Sequence, residues 1–357
     1  MKFNNSFLDQ LEPYRPGEQP KNNNYIKLNT NENPFPPSKR VINSLTKFDF
    51  NKLRKYPDPD SRKLKQLLGK KFNLSCDNLF AGNGSDEVLS LIFLTFFRGK
   101  KILFPDITYS FYSSFAKLAL SKFETIPLEK DFSLNLEKYN KNAYGIIFPN
   151  PNAPTGISID HEKIKSFLRC HSDKLIIIDE AYADFNSFNC IDLVKKHGNL
   201  IIVRTFSKSY SLAGLRIGFC LASKSIIKQL VKVKNSFNSY PIDQLAEIAA
   251  INAIKDSSYF DKIIKKIKKN RAWLEKKFSE MGYSFIKSDA NFILLKPKKI
   301  SAKQLYSFLR SKGILVRYFS NPKKLSAYIR ITVGTFEECQ KLVNYLKINN
   351  RGDFEKS

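Results

Sequence analysis

Short β-branched runs at Gly145 to Phe148, Leu175 to Ile178 and Leu200 to Val203 constrain this chain more than any other feature. Each is separated from the next by a stretch long enough for a helix, such as Asp160 to Cys170. That alternation predicts a mostly parallel sheet with helices on both faces. Sheets of this kind carry their chemistry at the carboxyl ends of the strands, in the loops that follow. A length of 357 residues leaves room for one large α/β domain or two domains with a sizeable core.

The flanks read differently. The first forty residues are polar and rich in proline (Pro13, Pro16, Pro20, Pro34, Pro36, Pro37), which predicts an extended arm. A long helical region is expected from about Asp243 to Met281, with Lys265, Lys266, Lys268 and Lys269 forming its solvated face. After it come a strand-like segment from Asn291 to Leu295 and a helical one from Ala302 to Ser311. Further strands are expected around Ile314 to Val316 and Tyr328 to Val333, giving a small α+β domain. No internal repeat or low-complexity linker interrupts this order.

Charge and cysteine usage narrow the function classes. The chain has 60 Lys and Arg against 33 Asp and Glu, a net charge of +27. An excess this large fits nucleic acid, an acidic membrane surface or anionic substrates. No aromatic RNA-binding motif or detached basic tail supports nucleic acid, and Lys and Asn are abundant throughout. One local feature stands out: ten Lys and Arg and no Asp or Glu lie between Ala290 and Phe336, a field suited to an anion site. The longest apolar stretch, Leu89 to Phe97, is too short to span a bilayer. The first residues lack an apolar h-region, so no secretory signal is expected. Five widely spaced cysteines without a C-x-x-C pair argue against a disulfide scaffold or zinc finger and fit a reducing cytoplasm. No metal cluster is expected, since His161, His171 and His197 lie in no motif.

Three segments concentrate chemistry. Gly82 to Glu87 puts small residues between a short strand and a helical run, where backbone N–H groups and Ser85 can cradle an anion. Asp179 follows directly on an apolar strand, at the active edge of a parallel sheet. The next strand ends in Arg204-Thr205-Phe206-Ser207-Lys208, and Arg216 follows eight residues later. A lysine amine, a carboxylate and a phosphate-binding arginine at strand ends are the groups a pyridoxal phosphate (PLP) enzyme requires. The lysine forms the Schiff base, and the carboxylate keeps the pyridine nitrogen protonated so that the ring is an electron sink. Arg216 matches a phosphate in planar, bidentate geometry.

Asn150-Pro151-Asn152-Ala153-Pro154-Thr155-Gly156, Asp179-Glu180-Ala181-Tyr182, and Ser207-Lys208 with Arg216 resemble class I/II aminotransferases of PLP fold type I. Within that group, Leu28 to Pro34, Tyr56 to Asp60, Gly82 to Glu87, Gly313 to Arg317 and Ile329 to Thr335 resemble the histidinol-phosphate aminotransferases. The resemblance covers nearly the whole chain. It implies an α/β fold of type I: an N-terminal arm (1–42) packing on the small domain, a large PLP-binding domain (43–255) with a mostly parallel central sheet, and a small α+β C-terminal domain (256–357).

The resemblance also implies roles. Lys208 would be the Schiff-base lysine and the acid/base between the substrate Cα and the cofactor C4′. Asp179 would pair with the pyridine nitrogen, Tyr182 would hydrogen-bond the phenolic oxygen, and Tyr109 would stack on the ring. Gly84, Ser85, Asp86, Ser207 and Arg216 would bind the cofactor around its phosphate, and Tyr56 would reach the phosphate in a neighbouring subunit, making a homodimer with shared sites part of the mechanism. Arg317 and Arg330, with Tyr14 and Asn33, would bind the substrate. Many members place Asn immediately before Pro-Thr-Gly; here Ala153 stands there, and Asn152 would take that role through a different loop path. The implied reaction is transamination between L-histidinol phosphate and 2-oxoglutarate, with small-molecule partners and neither nucleic acid nor membrane. An aromatic amino-acid aminotransferase or a PLP-dependent decarboxylase of a phosphorylated amino acid would keep the same fold.

Overall fold

A computed structural model of the chain describes residues 6–11, 16–20 and 25–351. Strand β1 (Ile26–Lys27) lies within the N-terminal arm. The central sheet contains β2 (Leu79–Asn83), β3 (Lys101–Pro105), β4 (Lys122–Ile126), β5 (Gly145–Pro149), β6 (Leu175–Asp179), β7 (Leu200–Thr205) and β8 (Ile217–Ala222). Its order is β2-β8-β7-β6-β5-β3-β4. Only β8 runs against its neighbours, antiparallel to both β2 and β7, so β2 and β7 point the same way. The other pairs are parallel.

The three runs singled out in the sequence become β5, β6 and β7, at the centre of the sheet. Alternate residues point to opposite faces of a strand, and here the two sets feed separate cores. Ile146, Phe148, Ile176, Ile178, Leu200 and Ile202 join one cluster, while Ile147, Ile177, Ile201 and Val203 join the other. Both sets are fully buried, which a parallel sheet covered on both faces requires. Each such side chain contributes about 1.5–3 kcal/mol of transfer free energy. The covering helices include α1 (Lys39–Thr46), α2 (Arg62–Phe72), α3 (Gly84–Phe96), α4 (Phe111–Leu118), α5 (His161–Cys170), α6 (Lys224–Phe237) and α7 (Gln244–Lys255).

A second, antiparallel sheet follows, built from β9 (Ser284–Ile286), β10 (Phe292–Lys296), β12 (Arg317–Tyr318) and β13 (Ile329–Thr332) in the order β12-β13-β10-β9. Between β10 and β12 lies β11 (Ile314–Leu315), which pairs in parallel with β1 and so ties the arm to this part of the chain. Helices α8 (Ser257–Glu280), α9 (Ala302–Ser311) and α10 (Phe336–Arg351) complete it. Its core is a separate cluster that includes Ile267, Leu274, Phe292, Ile293, Ile329 and Ile331.

The expected helical region from Asp243 to Met281 is two helices divided at Asp256, whose carboxylate accepts from Tyr259 N and caps α8, as Asp243 caps α7 through Ala246 N. An Asp side chain offers the backbone an alternative partner and so favours a helix start over a helix interior. Within the lysine run, Lys265, Lys266 and Lys269 are exposed, but Lys268 is half-buried and donates to Asn186 O at 2.6 Å. No helix among the described residues is long and apolar enough to cross a membrane.

Candidate active site

The carboxyl ends of β2, β3, β5, β6 and β7 open on one cavity of about 830 Å³. Ser85 and Asp86 reach it from the start of α3, Tyr109 from the loop after β3, and Ala153 and Pro154 from the loop after β5. Asp179 and Tyr182 enter after β6, and Ser207 and Lys208 after β7. The wall opposite is built by Arg317 and Arg330 of the second sheet and by Thr30 and Asn31 of the arm.

Asp179, the last residue of β6, is 5% exposed and accepts hydrogen bonds from Tyr112 Oη (2.8 Å) and Ala181 N (3.1 Å). Burial pushes its carboxyl up to about 6, against the pull of those two bonds. No ion pair to it is present among the described residues. A buried carboxylate whose charge is met only by neutral donors is a ready acceptor for a protonated ring nitrogen. The amine of Lys208 donates to Thr30 O at 3.0 Å and stands 5.8 Å from the Tyr182 ring centre. Asn31 Nδ2 donates to Tyr182 Oη at 2.9 Å.

The anion cradle follows from close backbone approach. A Cβ on Gly218 in β8 would collide with the Gly84 carbonyl carbon and Ser85 N, so only glycine lets β8 press against the start of α3. Gly84 itself has φ +79°, and a Cβ there would sit 2.5 Å from Arg216 Nη2. Arg216 is aimed by Ser207 Oγ (3.3 Å) and by Asp86 Oδ2 (3.0 Å), while Asp86 Oδ1 accepts from Tyr109 Oη at 2.7 Å. Helix N-terminal amides, a hydroxyl and a guanidinium therefore converge on one spot.

Arg317 and Arg330 are direct cross-strand partners in the β12–β13 ladder. Like charges directly opposite each other destabilise a sheet, and both line the cavity. The Arg330 guanidinium is buttressed by the Phe292 and Phe319 rings at 5.2 and 5.5 Å, and Nη2 donates to Asn29 O at 3.1 Å. Arg317 lies 5.6 Å from the Phe319 ring centre. An anion placed between the two arginines would relieve this repulsion.

Four expected site residues take other places or fall outside view. Asn33 Nδ2 donates to the carbonyls of Lys208 and Ser209, both at 3.1 Å, and so holds the lysine loop instead of lining the cavity. Asn152 directs its amide protons at Ile107 O (3.0 Å) and Thr155 Oγ1 (3.1 Å), which ties the loops after β3 and β5; Ala153 and Pro154 face the cavity in its stead. Tyr56 does not line the chain's own cavity; it is 81% exposed and stacked on Tyr240 with ring centres 4.6 Å apart. Tyr14 lies outside the described residues.

Sequence reasoning missed Asn31, Tyr112 and a buried ion cluster. Arg204, at the end of β7, pairs with Glu180 (2.9 Å) and with Asp184, whose other oxygen accepts from Ser209 Oγ at 2.5 Å. Burial opposes the charges of both Arg204 and Glu180; the two carboxylates outweigh it and raise the Arg204 pKa, while Glu180 is pushed up. Glu180 adjoins Asp179 and Ser209 adjoins Lys208, so adjacency in the chain was the available signal.

Residues 23–346 match the model of the family "Aminotransferase class I and II". The chain belongs to that family. It is 44% identical over 347 residues to a histidinol-phosphate aminotransferase of Clostridium beijerinckii, covering 97% of both chains. Against the Brachyspira hyodysenteriae protein of the same name it is 45% identical over 339 residues, or 94% of this chain and 96% of the relative. Among solved structures it is similar to the histidinol-phosphate aminotransferase of Sinorhizobium meliloti in complex with pyridoxal-5'-phosphate, with a TM-score of 0.83 and 25% identity. That match covers 92% of this chain and 91% of the other. The family membership agrees with the resemblance carried by the Asn150 to Gly156, Asp179 to Tyr182 and Ser207 to Arg216 motifs.

Proposed function

We propose that this chain is a PLP-dependent transaminase that moves the amino group of L-histidinol phosphate to 2-oxoglutarate, and in the biosynthetic direction that of L-glutamate to imidazole acetol phosphate. The observation that carries the substrate assignment is the Arg317–Arg330 pair facing the same cavity as Asp179 and Lys208. One arginine pair can hold the phosphate of one substrate and the carboxylate of the other, as two half-reactions in a single site require. Relatives at 44–45% identity over nearly the full chain carry the matching name.

The residues present fit PLP. The glycine-lined approach of β8 to α3, with Ser85, Ser207 and Arg216, suits its phosphate; buried Asp179 suits its ring nitrogen; and Tyr182 suits its phenolic oxygen. When bound, PLP supplies a carbonyl that captures an amine and a protonated ring that draws off the electron pair left at the substrate Cα. Asp179 would hold the proton on the ring nitrogen. Lys208, whose amine donates to Thr30 O, would take up and return the proton at the substrate Cα. Arg317 and Arg330 fix the far end of the substrate, so that the Cα–H bond stays within reach of the lysine.

The reading includes a homodimer in which Tyr56 completes the partner's phosphate site; the outward placement of Tyr56 on Tyr240 supports it. It also assigns the enzyme to the cytoplasm, where its five free cysteines stay reduced.

The deciding measurement is the visible spectrum of the protein with PLP, before and after adding L-histidinol phosphate without keto acid. A yellow band that bleaches is the expected result. A band unmoved by L-histidinol phosphate but bleached by aromatic amino acids, or carbon dioxide released from L-threonine phosphate, would overturn the substrate assignment. Absence of any band would overturn the cofactor. Replacement Arg330→Ala should raise KM about tenfold or more for both L-histidinol phosphate and glutamate; an unchanged KM for glutamate would contradict the shared arginine pair.

A further inference from the structure

Three successive arm residues touch three different functional groups. Asn29 O accepts from Arg330, Thr30 O from Lys208, and Asn31 donates to Tyr182. Asn31 is the most constrained of them. It is 1% exposed and sits at φ +57°, in the left-handed region where a non-glycine residue is held at a cost. Its N–H donates to Thr332 Oγ1 (3.0 Å), and its carbonyl accepts from Asn291 Nδ2 (3.0 Å). Those two bonds anchor the arm to β13 and its neighbourhood without using the Asn31 side chain.

The side chain is oriented by proton counting. Thr332 Oγ1 accepts the Asn31 backbone N–H, so its single proton goes to Asn31 Oδ1, 3.1 Å away. The Nδ2 end must then face Tyr182, whose oxygen accepts from it at 2.9 Å. A phenol oxygen that accepts from one side turns its own proton elsewhere, and Tyr182 lines the cavity. We propose that Asn31 is a positioning residue for the reaction: its carboxamide, locked by Thr332, makes the Tyr182 hydroxyl a donor into the cavity, aimed at the phenolic oxygen of the cofactor. This rests on the assignment of PLP to the cavity. Thr332 lies two residues from Arg330 on β13, so the strand that carries the substrate arginine also locks this amide.

The test uses Asn31→Gly, which removes the amide and keeps a backbone that tolerates positive φ. PLP affinity and the visible spectrum are read without substrate, next to melting temperature. PLP affinity should fall about three- to tenfold, the worth of one hydrogen bond, and the yellow band should shift relative to the wild-type protein. With substrate, kcat should fall while KM for L-histidinol phosphate stays within about threefold. Thr332→Val, which frees the carboxamide to turn over, should move affinity and band in the same direction. Wild-type affinity and an unshifted band in both variants would overturn the proposal, whatever their melting temperatures. A wild-type protein that forms no band with PLP would instead overturn the cofactor assignment.

Discussion

Asp179 meets its charge with a phenol and a backbone amide, and burial raises its pKa from 3.8 to about 6. The folded apoprotein therefore holds a proton there that the unfolded chain releases between pH 4 and 6. A carboxyl raised in this way costs stability above its folded pKa, and the cost disappears as pH falls through 6 toward 4. Asp179→Asn should make the cofactor-free protein gain stability over wild type as pH rises across that window. The gap should level off above pH 7 at up to about 3 kcal/mol. The lost acceptor in Asn adds a pH-independent offset and leaves this slope intact. Urea unfolding at pH 4 and pH 8 measures it; a gap equal at both would contradict the burial argument. The same variant should bind PLP more weakly.

Where elements meet, one guanidinium does the joining. Arg204 leaves the end of β7 and pairs with Glu180 and Asp184 in the segment after β6, while Ser209 ties Asp184 to the lysine loop. Removing it strands buried carboxylates, a loss of about 3–5 kcal/mol for a buried pair broken on one side. Arg204→Met should therefore lower thermal stability sharply. Adding Glu180→Met and Asp184→Leu to it should recover much of that loss, because an apolar cluster needs no counter-charge. Melting curves of the single and triple variants check this; a triple variant no more stable than the single one would rule it out.

The whole molecule carries +27, and its acid-free stretch from 291 to 336 contains both cavity-facing arginines of β12 and β13. A positive field of this kind favours anionic substrates over neutral ones. Tyr56 belongs to this scale, since in the proposed homodimer it would act in the other subunit's site. Mixing Tyr56→Ala with Lys208→Ala, after dissociation and reassembly, should create heterodimers in which one site holds both lesions and the other neither. At equal amounts about half the dimers are mixed, so activity should return to about a quarter of wild type. No recovery in the mixture would refute the shared site.

The strands β5, β6 and β7 and the positions of Asp179, Lys208 and Arg216 at or near strand ends were legible from sequence, because apolar runs and the loops following them are local patterns. The partners of the polar side chains were not. Asn31 meets Tyr182 across 151 positions and Thr332 across 301. Asn33 and Asn152 carry the residue type a ligand site wants, yet packing gives their amides to the lysine loop and to Thr155. The facing of Arg317 on Arg330 is a matter of β-register. Sequence alone determined the layers, the strand-end chemistry and the family, since burial periodicity and motif order are written along the chain. Tertiary structure decided which amide meets which oxygen, because a hydrogen-bond partner is chosen by whatever the closed core brings within 3 Å.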